Sequence, residues 1–404
     1  MSIIRDLTLE IKKYLEKDEI ILIVGARQVG KTTLLRQLEE IIKNQNKVSY
    51  FLNLEDPEYL SLLNQSPKNL LKIFSFDLGQ RNFLFIDEIQ YLKDPTNFLK
   101  YLYDEYKGRI KIITTGSSAF YVDRKFKDSL VGRKKIFHLL TLSFREFLRF
   151  KNEETLSKKN FNNLSLSERE KIVFYYREYL VFGGYPRVVL GILAEKEELL
   201  KDIAYSYIKK DIFEANIRQE EVFYKLFKIL ASQIGNLVNS SELASTLRVS
   251  RTAIEDYLYV MQKSFHIRLI SPFYSNLRKE ITKMPKVYFL DLGLRNFLLR
   301  NLKPFEQRED RGQILENALF RQLLESYNFE EIKFWRTTQK QEVDFIIGEN
   351  KALEVKISPE RFKKSKYKAF FQNYPEIKFF IASFDCSKEK IDGIPIVEIW
   401  KIEQ

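Results

Sequence analysis

Gly25-Ala26-Arg27-Gln28-Val29-Gly30-Lys31-Thr32 is the stretch that decides the fold at the start of this 404-residue chain. It fits the pattern G-x-x-x-x-G-K-[ST]. The apolar run Ile20–Val24 precedes it, as a buried strand would, and a helical pattern begins at Thr33. Glycines let backbone N–H groups curl around a phosphate, and the start of a helix adds partial positive charge there. The sequence therefore predicts a nucleotide-binding P-loop; the alternative is an ordinary turn between a strand and a helix.

The residues of this loop have distinct expected roles. Lys31 is expected to reach the β- and γ-phosphates of a nucleoside triphosphate, and the hydroxyl of Thr32 is expected to hold Mg²⁺. The predicted cofactors are therefore ATP and Mg²⁺. The residues expected to bind the nucleotide are Gly25, Ala26, Arg27, Gln28, Val29, Gly30, Lys31, Thr32 and Thr33.

A second segment indicates that the triphosphate is hydrolysed. Phe83-Leu84-Phe85-Ile86 is an apolar run typical of a buried parallel strand, and Asp87-Glu88 follows it. Ligands of such sheets gather at the carboxyl ends of the strands. Asp87 is expected to help hold Mg²⁺, and Glu88 to polarise the attacking water as general base. The alternative is a strand followed by two solvated acids.

A third apolar run covers residues 110–115 and ends in Gly116-Ser117-Ser118. The hydroxyl of Ser117 is a candidate for sensing the γ-phosphate or orienting the water. The same hydroxyl is equally suited to capping the next helix, and the sequence leaves both roles open.

Composition indicates a soluble, intracellular protein. The chain is 45% hydrophobic and 30% charged, and 14% of its residues are aromatic, enough for packed cores. One cysteine excludes an internal disulfide, and two histidines with one cysteine cannot build a Cys/His zinc site. The sequence shows no apolar stretch of membrane-spanning length and no signal-peptide core. We therefore expect a cytoplasmic protein that does not associate with membranes.

Net charge favours a polyanionic partner. The chain carries a formal charge of +12, which attracts nucleic acid or an anionic membrane surface, although a Lys-rich proteome would give the same balance. Clustering of the charge favours nucleic acid, with DNA preferred. The two clusters are Arg124, Lys125, Lys127, Arg133, Lys134 and Lys135, and then Lys356, Arg361, Lys363, Lys364, Lys366 and Lys368.

Four domains are predicted from the changes of pattern along the chain. Residues 1–150 alternate strands and helices, which indicates an α/β fold with the parallel sheet of a P-loop ATPase. Residues 151–236 form a helical linker region, in which Phe182-Gly183-Gly184-Tyr185-Pro186 marks a turn between packed helices or a ligand contact. Residues 237–305 are expected to form a winged helix-turn-helix. Residues 306–404 are expected to form a mixed α/β domain.

The helix-turn-helix prediction rests on two short apolar patterns. Leu243 and Leu247 face inward on a first helix, a turn follows at Val249-Ser250, and the second helix places apolar residues at 254, 257, 258 and 261. DNA readout would fall to Arg251, Thr252 and Tyr259. Glu255 and Asp256 on the same helix oppose deep insertion into a groove, because both would face phosphates. An architectural winged helix without DNA readout remains the alternative.

The C-terminal region holds a second candidate site. Residues 343–347 and 352–356 read as a hairpin around Gly348, with Asp344 and Glu354 on opposing strands. Lys356 shares the face of Glu354 because strand side chains alternate. Glu316, on a helix upstream, is a candidate third carboxylate. Such a set predicts an oxygen-ligand Mg²⁺ site with a lysine beside it, against the alternative of a solvated Lys/Glu-rich hairpin.

Taken together, these motifs resemble those of prokaryotic AAA-type ATPases whose C-terminal part has the PD-(D/E)XK restriction-endonuclease-like fold. The resemblance covers nearly the whole chain. The matching segments, in order, begin at Gly25, Phe85, Thr115, Ser129, Leu142, Phe182, Pro285, Glu316, Glu342 and Leu353.

The resemblance implies an ATPase core, a helical and winged-helix middle and a nuclease-like C-terminal domain. Arg133 corresponds to the arginine with which such ATPases meet the γ-phosphate, often from a neighbouring subunit, so a homo-oligomer is expected. A surface arginine that contacts DNA phosphates is the alternative. The nuclease-type positions Glu316, Asp344, Glu354 and Lys356 all hold competent residues.

Two functions from different classes follow. The first is an ATP-hydrolysing, DNA-associated ATPase, with Mg²⁺-dependent nuclease activity of the C-terminal domain as an optional addition. The second is an ATP-controlled interaction switch whose nuclease-like domain binds a partner without catalysis.

Overall fold

The computed structural model describes residues 3–116, 130–274, 283–386 and 388–402. Ser117 lies outside these residues, as do Arg124, Lys125 and Lys127 of the first basic cluster. The described chain forms two compact units. The N-terminal unit comprises the residues up to Leu140 together with Lys263–Phe265, and the C-terminal unit comprises Thr141–Gln262 and the residues from His266 onward.

The N-terminal unit is built on a parallel sheet, as the sequence predicts. Its strands run in the order β2-β3-β4-β1-β5, and every adjacent pair is parallel. The central strands β1, β3 and β4 are buried throughout, which explains their continuous apolar runs. The strands are β1 Ile20–Val24, β2 Ser49–Asn53, β3 Asn82–Asp87, β4 Ile110–Gly116 and β5 Lys134–His138.

Helices cover this sheet, and two of them begin at typical N-cap residues. Asp56 and Asp94 each accept a backbone hydrogen bond at a helix start, and a proline follows each at the first helical position. The helix that follows the P-loop buries Leu34 and Leu38 against β3 and β4. The helices of this unit are Asp6–Lys12, Lys31–Lys43, Pro57–Gln65, Leu70–Ile73 and Pro95–Tyr106.

The C-terminal unit begins with helices. Its longest helix, Leu166–Phe182, starts at a capping box formed by Ser165 and Glu168 and ends where Gly183 takes a left-handed φ of 73°. The sequence predicts a turn here, and the structure has one. The helices of this stretch are Phe144–Phe150, Glu154–Lys158, Leu166–Phe182, Pro186–Leu190, Lys196–Asp202, Ile208–Glu214 and Glu220–Ser232, with a π-helical turn at Ile203–Tyr207.

Two helices and a hairpin follow in the same unit. The helices are Ser240–Leu247 and Arg251–Lys263, and Ser250 caps the second by accepting the N–H of Ala253 at 3.1 Å. Strands β6 (Ile267–Ile270) and β7 (Lys286–Phe289) pair antiparallel. The four apolar positions predicted on the second helix are all buried. Short helices at Leu292–Leu298 and Arg311–Leu323 lead on to the last sheet.

A six-stranded mixed sheet forms the end of the chain. Its order is β12-β13-β11-β10-β9-β8, with parallel pairs β10/β11 and β11/β13 and antiparallel pairs elsewhere. The helix Lys368–Asn373 packs its Phe370 on the core of this sheet. The strands are β8 Ile332–Arg336, β9 Glu342–Ile347, β10 Lys351–Lys356, β11 Lys378–Ser383, β12 Lys390–Ile391 and β13 Ile394–Glu398. Within the described ranges, every helix is too short or too polar to cross a bilayer.

Candidate functional site

The P-loop lies between β1 and the helix Lys31–Lys43, and its two glycines are required by geometry. A side chain at Gly25 would collide with the carbonyl oxygen of Leu139, which follows β5. Gly30 has φ of 97°, a conformation that L side chains rarely adopt, and stands at the cap position of the helix. Because Gly30 brings no side chain to the cap, the first N–H groups of a 13-residue helix face the loop.

The side chain of Lys31 folds back onto the backbone of the P-loop. Its ammonium, which is buried, donates to the carbonyls of Gly25 at 3.0 Å and Ala26 at 2.9 Å. The ammonium of Lys31 is thus held against the backbone of the P-loop.

Two hydroxyls surround the carboxylate of Asp87 at the end of β3. The Thr32 hydroxyl donates to Oδ2 at 2.6 Å, and the Thr115 hydroxyl donates to Oδ1. Hydroxyl and carboxylate oxygens are the ligands that Mg²⁺ prefers, so Thr32 and Asp87 fit this ion. Thr115, near the end of β4, is therefore a candidate for sensing the γ-phosphate. The sequence pattern indicated Ser117 for this role and not Thr115. The available signal for Thr115 was its place near the end of a buried strand that pairs in parallel with β3.

Glu88 follows in a left-handed conformation with φ of 58°, which turns the chain sharply after β3. Its N–H donates to the Thr115 hydroxyl at 3.0 Å. The side-chain amide of Gln90 donates to the Glu88 carboxylate. Asp87, Glu88, Thr115 and Gln90 therefore form one hydrogen-bonded group at the carboxyl edge of the parallel sheet.

Arg5 holds the P-loop from the N-terminal side. Its buried guanidinium donates to the carbonyl of Val29 at 2.8 Å and to that of Leu140 at 2.9 Å. No local pattern identifies this residue, because its partners lie far away along the chain. Arg133 is paired with Asp104, Nε to Oδ1 at 2.9 Å, and both are partly exposed.

In the C-terminal unit, the hairpin β9–β10 brings Asp344 and Glu354 together. The carboxylate of Asp344 accepts the N–H of Val355 at 2.8 Å, and the carboxylate of Glu354 accepts the N–H of Asp344 at 3.3 Å. Lys356 donates to Oε1 of Glu354, as does the hydroxyl of Tyr367 at 2.7 Å. The sequence predicts Asp344, Glu354 and Lys356 on one sheet surface. In the structure, Glu354 contacts both of the other two residues.

Glu316 reaches the same region from the helix Arg311–Leu323. Asn317 fixes this helix to β7 by pairing with both the N–H and the carbonyl of Phe289, each at 2.8 Å. The Glu316 carboxylate accepts the Tyr288 hydroxyl at 2.5 Å. A β-carbon at Gly235 would lie 2.9 Å from Oε2 of Glu316, so the backbone closes that side.

Lys286, which the sequence analysis did not single out, lies among these acids. Its fully buried ammonium is 3.1 Å from Oε1 of Glu316, 2.6 Å from Oε1 of Glu342 and 3.9 Å from Oδ1 of Asp344. Arg336 pairs with the other oxygen of Glu342 at 2.7 Å. We call Glu316, Glu342, Asp344 and Glu354, with their cations Lys286, Arg336 and Lys356, the carboxylate cluster.

Burial and mutual repulsion alter the protonation of this cluster. Burial, followed by the charge of Asp344, raises the pKa of Glu354 from 4.5 to about 8. Burial also raises the pKa of Glu316 to about 7, against the opposing effect of Lys286. For Lys286, burial alone would lower the pKa, but the charges of Glu316, Asp344 and Glu342 raise it above its usual value.

The arrangement does not fit a divalent cation. Among the described residues, no group of three or more acidic, histidine or cysteine side chains has metal-binding geometry. The cluster carboxylates already accept protein donors, and three cationic groups face four acids. A Mg²⁺ ion requires about six oxygen ligands at short distance, and these oxygens are turned to ammonium, guanidinium, phenol and backbone groups instead.

Two exposed surfaces in the C-terminal unit concern nucleic acid. Arg251, Thr252 and Tyr259 are exposed on the second helix of the pair, but so are Glu255 and Asp256, and Arg251 pairs with Glu255 at 2.7 Å. The basic segment 361–368 exposes its cations, while Phe362 and Tyr367 anchor it by stacking, with ring centroids 4.9 Å apart. The exposed cations of the segment are Arg361, Lys363, Lys364, Lys366 and Lys368.

The geometry of the N-terminal unit defines a P-loop nucleotide-binding domain. Residues 17–148 match the family model of an AAA domain. Residues 173–304 and 311–399 match two domains of unknown function, DUF8612 and DUF4143. The first match and the nucleotide site together support an AAA-type ATPase domain. The nuclease-like identity of the C-terminal domain stays a prediction.

Two relatives match most of the chain at low identity. An uncharacterized protein of Haemophilus influenzae is 25% identical over 403 residues, covering 96% of this chain and 94% of that protein. An uncharacterized protein of Methanocaldococcus jannaschii is 26% identical over 344 residues, covering 78% of this chain and 68% of that protein.

Among solved structures, the chain is similar to the ADP form of the ORC2 protein of Aeropyrum pernix, with 13% identity and a TM-score of 0.35 over 65% of this chain and 84% of that one. It is also similar to AMPPCP-bound DnaA from Aquifex aeolicus, with 15% identity and a TM-score of 0.30 over 65% and 89%.

Proposed function

We propose that the protein hydrolyses ATP at the nucleotide site of the N-terminal unit and that it associates with DNA. The observation that carries the first part is the contact of the Thr32 hydroxyl with Asp87, beside the buried Lys31 of the P-loop. Hydroxyl, carboxylate and ammonium stand together at the start of a helix, where a triphosphate binds.

Each residue has a defined part in the proposed reaction. Lys31 exchanges the carbonyls of Gly25 and Ala26 for phosphate oxygens. Thr32 and Asp87 would hold Mg²⁺, which when bound neutralises charge on the phosphates. Glu88 accepts a proton from the attacking water as the bond between the γ-phosphorus and its bridging oxygen breaks, giving ADP and phosphate.

Gln90 has a positioning role in this proposal. Its amide donates to the Glu88 carboxylate, which fixes the direction of the base but also occupies one of its oxygens. Gln90 therefore holds the carboxylate of Glu88 through one of its two oxygens. In the nucleotide-bound protein, the other oxygen would have to face the attacking water.

The DNA part of the proposal rests on the basic segment 361–368. Its cations project into solvent from a backbone anchored by buried Phe362 and Tyr367, so the charges are presented without exposing apolar surface. Exposed lysines and arginines on a fixed backbone bind phosphates, with strong dependence on salt.

A second candidate function is an ATP-controlled interaction switch, in which the C-terminal domain binds a partner without cutting it. The favouring observation is the carboxylate cluster, whose acids face Lys286, Arg336 and Lys356. Metal-dependent cleavage needs acids that are available to a metal. We therefore give binding, rather than cleavage, as the function of this domain.

The experiment for the proposed function is ATP turnover by pure protein with and without duplex DNA, at low and at physiological salt. We expect DNA to stimulate turnover at low salt, and the double substitution of Lys364 and Lys366 by Glu to remove that stimulation. The matched control replaces Lys388 and Lys390, also exposed, by Glu. Turnover that is unaffected by DNA under all conditions would favour the switch, and absence of turnover would refute the ATPase assignment.

A further inference from the structure

Lys286 lies among acids that the sequence predicts to hold a metal, Glu316 and Asp344. It stands at the start of β7 and enters the carboxylate cluster from outside the hairpin that carries Asp344 and Glu354. Its ammonium contacts acids from two elements, Glu316 on a helix and Glu342 on β9. A single cation that bridges carboxylates from separate elements occupies the structural position of a bridging metal ion.

The position of Lys286 is firmly built. Its backbone pairs with Leu237 in a short antiparallel bridge and with Ile270 across the β6–β7 hairpin. Tyr288, two residues further along the same strand, donates to the same Glu316 oxygen that faces Lys286. Tyr288 also stacks on Phe320 with centroids 4.7 Å apart, which fixes the face of β7 that looks into the cluster.

The charges on the two sides of the cluster nearly balance. The four acids face Lys286, Arg336 and Lys356, and all seven groups are buried or partly buried. A buried ion pair is costly to break when one partner is removed, because the remaining charge is left without compensation. A divalent cation entering beside Lys286 would meet repulsion from a fixed ammonium and would find its ligands already engaged.

We propose that the Lys286 ammonium is the resident cation of the carboxylate cluster, taking the place of a divalent metal ion, so that the C-terminal domain binds no metal while β7 is in this position. This inference deepens the proposal that the domain binds rather than cuts, and it rests on that proposal. It also names the change that would open the cluster to a metal, which is loss of the Lys286 charge.

The test is Mn²⁺ binding to nucleotide-free full-length protein, measured by electron paramagnetic resonance of the free and bound ion. We expect wild-type protein to have no Mn²⁺ site that depends on Asp344. We expect Lys286→Met, which keeps the length of the side chain without its charge, to gain one site with affinity raised on the order of tenfold or more. Adding Asp344→Asn to that variant should remove the gained site.

Two controls separate charge from shape. Lys286→Arg keeps the positive charge and should bind no more Mn²⁺ than wild type. Lys378→Met removes an exposed lysine from β11, in the six-stranded sheet that carries Asp344 and Glu354, and should also match wild type. If Lys286→Met does not fold, as judged by circular dichroism, Lys286→Gln takes its place because it retains a hydrogen-bond donor.

Two results would overturn the inference. One is an Asp344-dependent Mn²⁺ site in wild-type protein. The other is a folded, uncharged Lys286 variant that gains no site. Neither result depends on ATP turnover or on its stimulation by DNA, so failure of the proposed function and failure of this inference are distinguishable.

Discussion

The nucleotide site and the carboxylate cluster both contain buried acidic side chains, but the groups that contact these acids are neutral in the first site and cationic in the second. At the nucleotide site, the buried Asp87 is flanked by the hydroxyls of Thr32 and Thr115, which are neutral. In the cluster, the buried Asp344 faces the ammonium of Lys286, and Glu354 faces that of Lys356. Neutral neighbours leave a negative charge that a metal can compensate, whereas cationic neighbours compensate part of it.

The difference teaches that buried acids on a sheet do not define a metal site by themselves. A hydroxyl group can donate a hydrogen bond to a carboxylate or coordinate Mg²⁺ through its oxygen, so Thr32 is able to serve both. An ammonium group binds only the carboxylate. The identity of the counter-group, which comes from a distant part of the chain, decides which chemistry the acids serve.

The largest effect should come from removing the cation of the nucleotide site. We expect Lys31→Ala to abolish detectable ATP binding and turnover, because the phosphates lose the ammonium that the P-loop holds at Gly25 and Ala26. Binding of a fluorescent ATP analogue is the measurement. Lys43→Ala, at the exposed far end of the same helix, is the control and should bind normally. Tight binding by Lys31→Ala would break the nucleotide side of the comparison.

Removing the base should separate binding from chemistry. Glu88→Gln should retain the nucleotide yet lower turnover on the order of 10²–10⁴-fold, because an amide cannot accept the proton of the attacking water. Binding and single-turnover hydrolysis are measured on the same preparation, with the exposed Glu58→Gln as control. Hydrolysis by Glu88→Gln at a rate near that of wild type would show that the base assignment is wrong.

The cluster should make stability depend on pH. Because burial raises the pKa of Glu354 to about 8 and of Glu316 to about 7, the folded state holds these protons more tightly than the unfolded state does. The protonated carboxyl groups of Glu354 and Glu316 stabilise the folded state fully below the ordinary carboxyl pKa. This contribution to the free energy of unfolding is lost as the pH rises from that pKa to about 7 for Glu316 and about 8 for Glu354.

The corresponding measurement is the melting temperature between pH 6 and pH 9. We expect it to fall by a few degrees over this range in wild-type protein, and the slope to be smaller in Glu354→Gln, which cannot titrate. An unchanged slope in the folded variant would contradict the protonation assigned to Glu354.

A smaller effect is expected from mixing two inactive variants. If Arg133 leaves Asp104 to serve a neighbouring subunit, then Arg133→Ala mixed with Lys31→Ala should recover part of the ATPase activity, since a mixed interface pairs an intact P-loop with an intact arginine. Subunit exchange is verified first with differently tagged chains. Exchange without any recovery would indicate that Arg133 acts within its own chain or contacts DNA.

Local pattern was sufficient to predict the parallel sheet and the P-loop. Strand β1, the loop and the helix after it follow one another in sequence, so spacing alone fixes Lys31 and Thr32 near the end of β3 once a parallel sheet is assumed. The hairpin β9–β10 could be predicted for the same reason, because its two strands also follow one another in sequence. Its turn at Gly348 is short, and the side-chain alternation then places Glu354 and Lys356 on one face.

The residues that were not predicted act across long separations in sequence. Arg5 contacts the carbonyl of Leu140, and Lys286 contacts Asp344. Neither has a neighbour in sequence that indicates its partner, and a lysine before an apolar run ordinarily faces solvent. Thr115 was missed for a different reason, because the next residues offered hydroxyls at an equally plausible spacing.

The most direct test of the comparison is the number of Mn²⁺ ions bound per chain in wild-type protein saturated with a non-hydrolysable ATP analogue. The account predicts one ion, which requires the analogue and is lost in Asp87→Asn but retained in Asp344→Asn. Two ions per chain, or one ion that survives Asp87→Asn and disappears in Asp344→Asn, would contradict it.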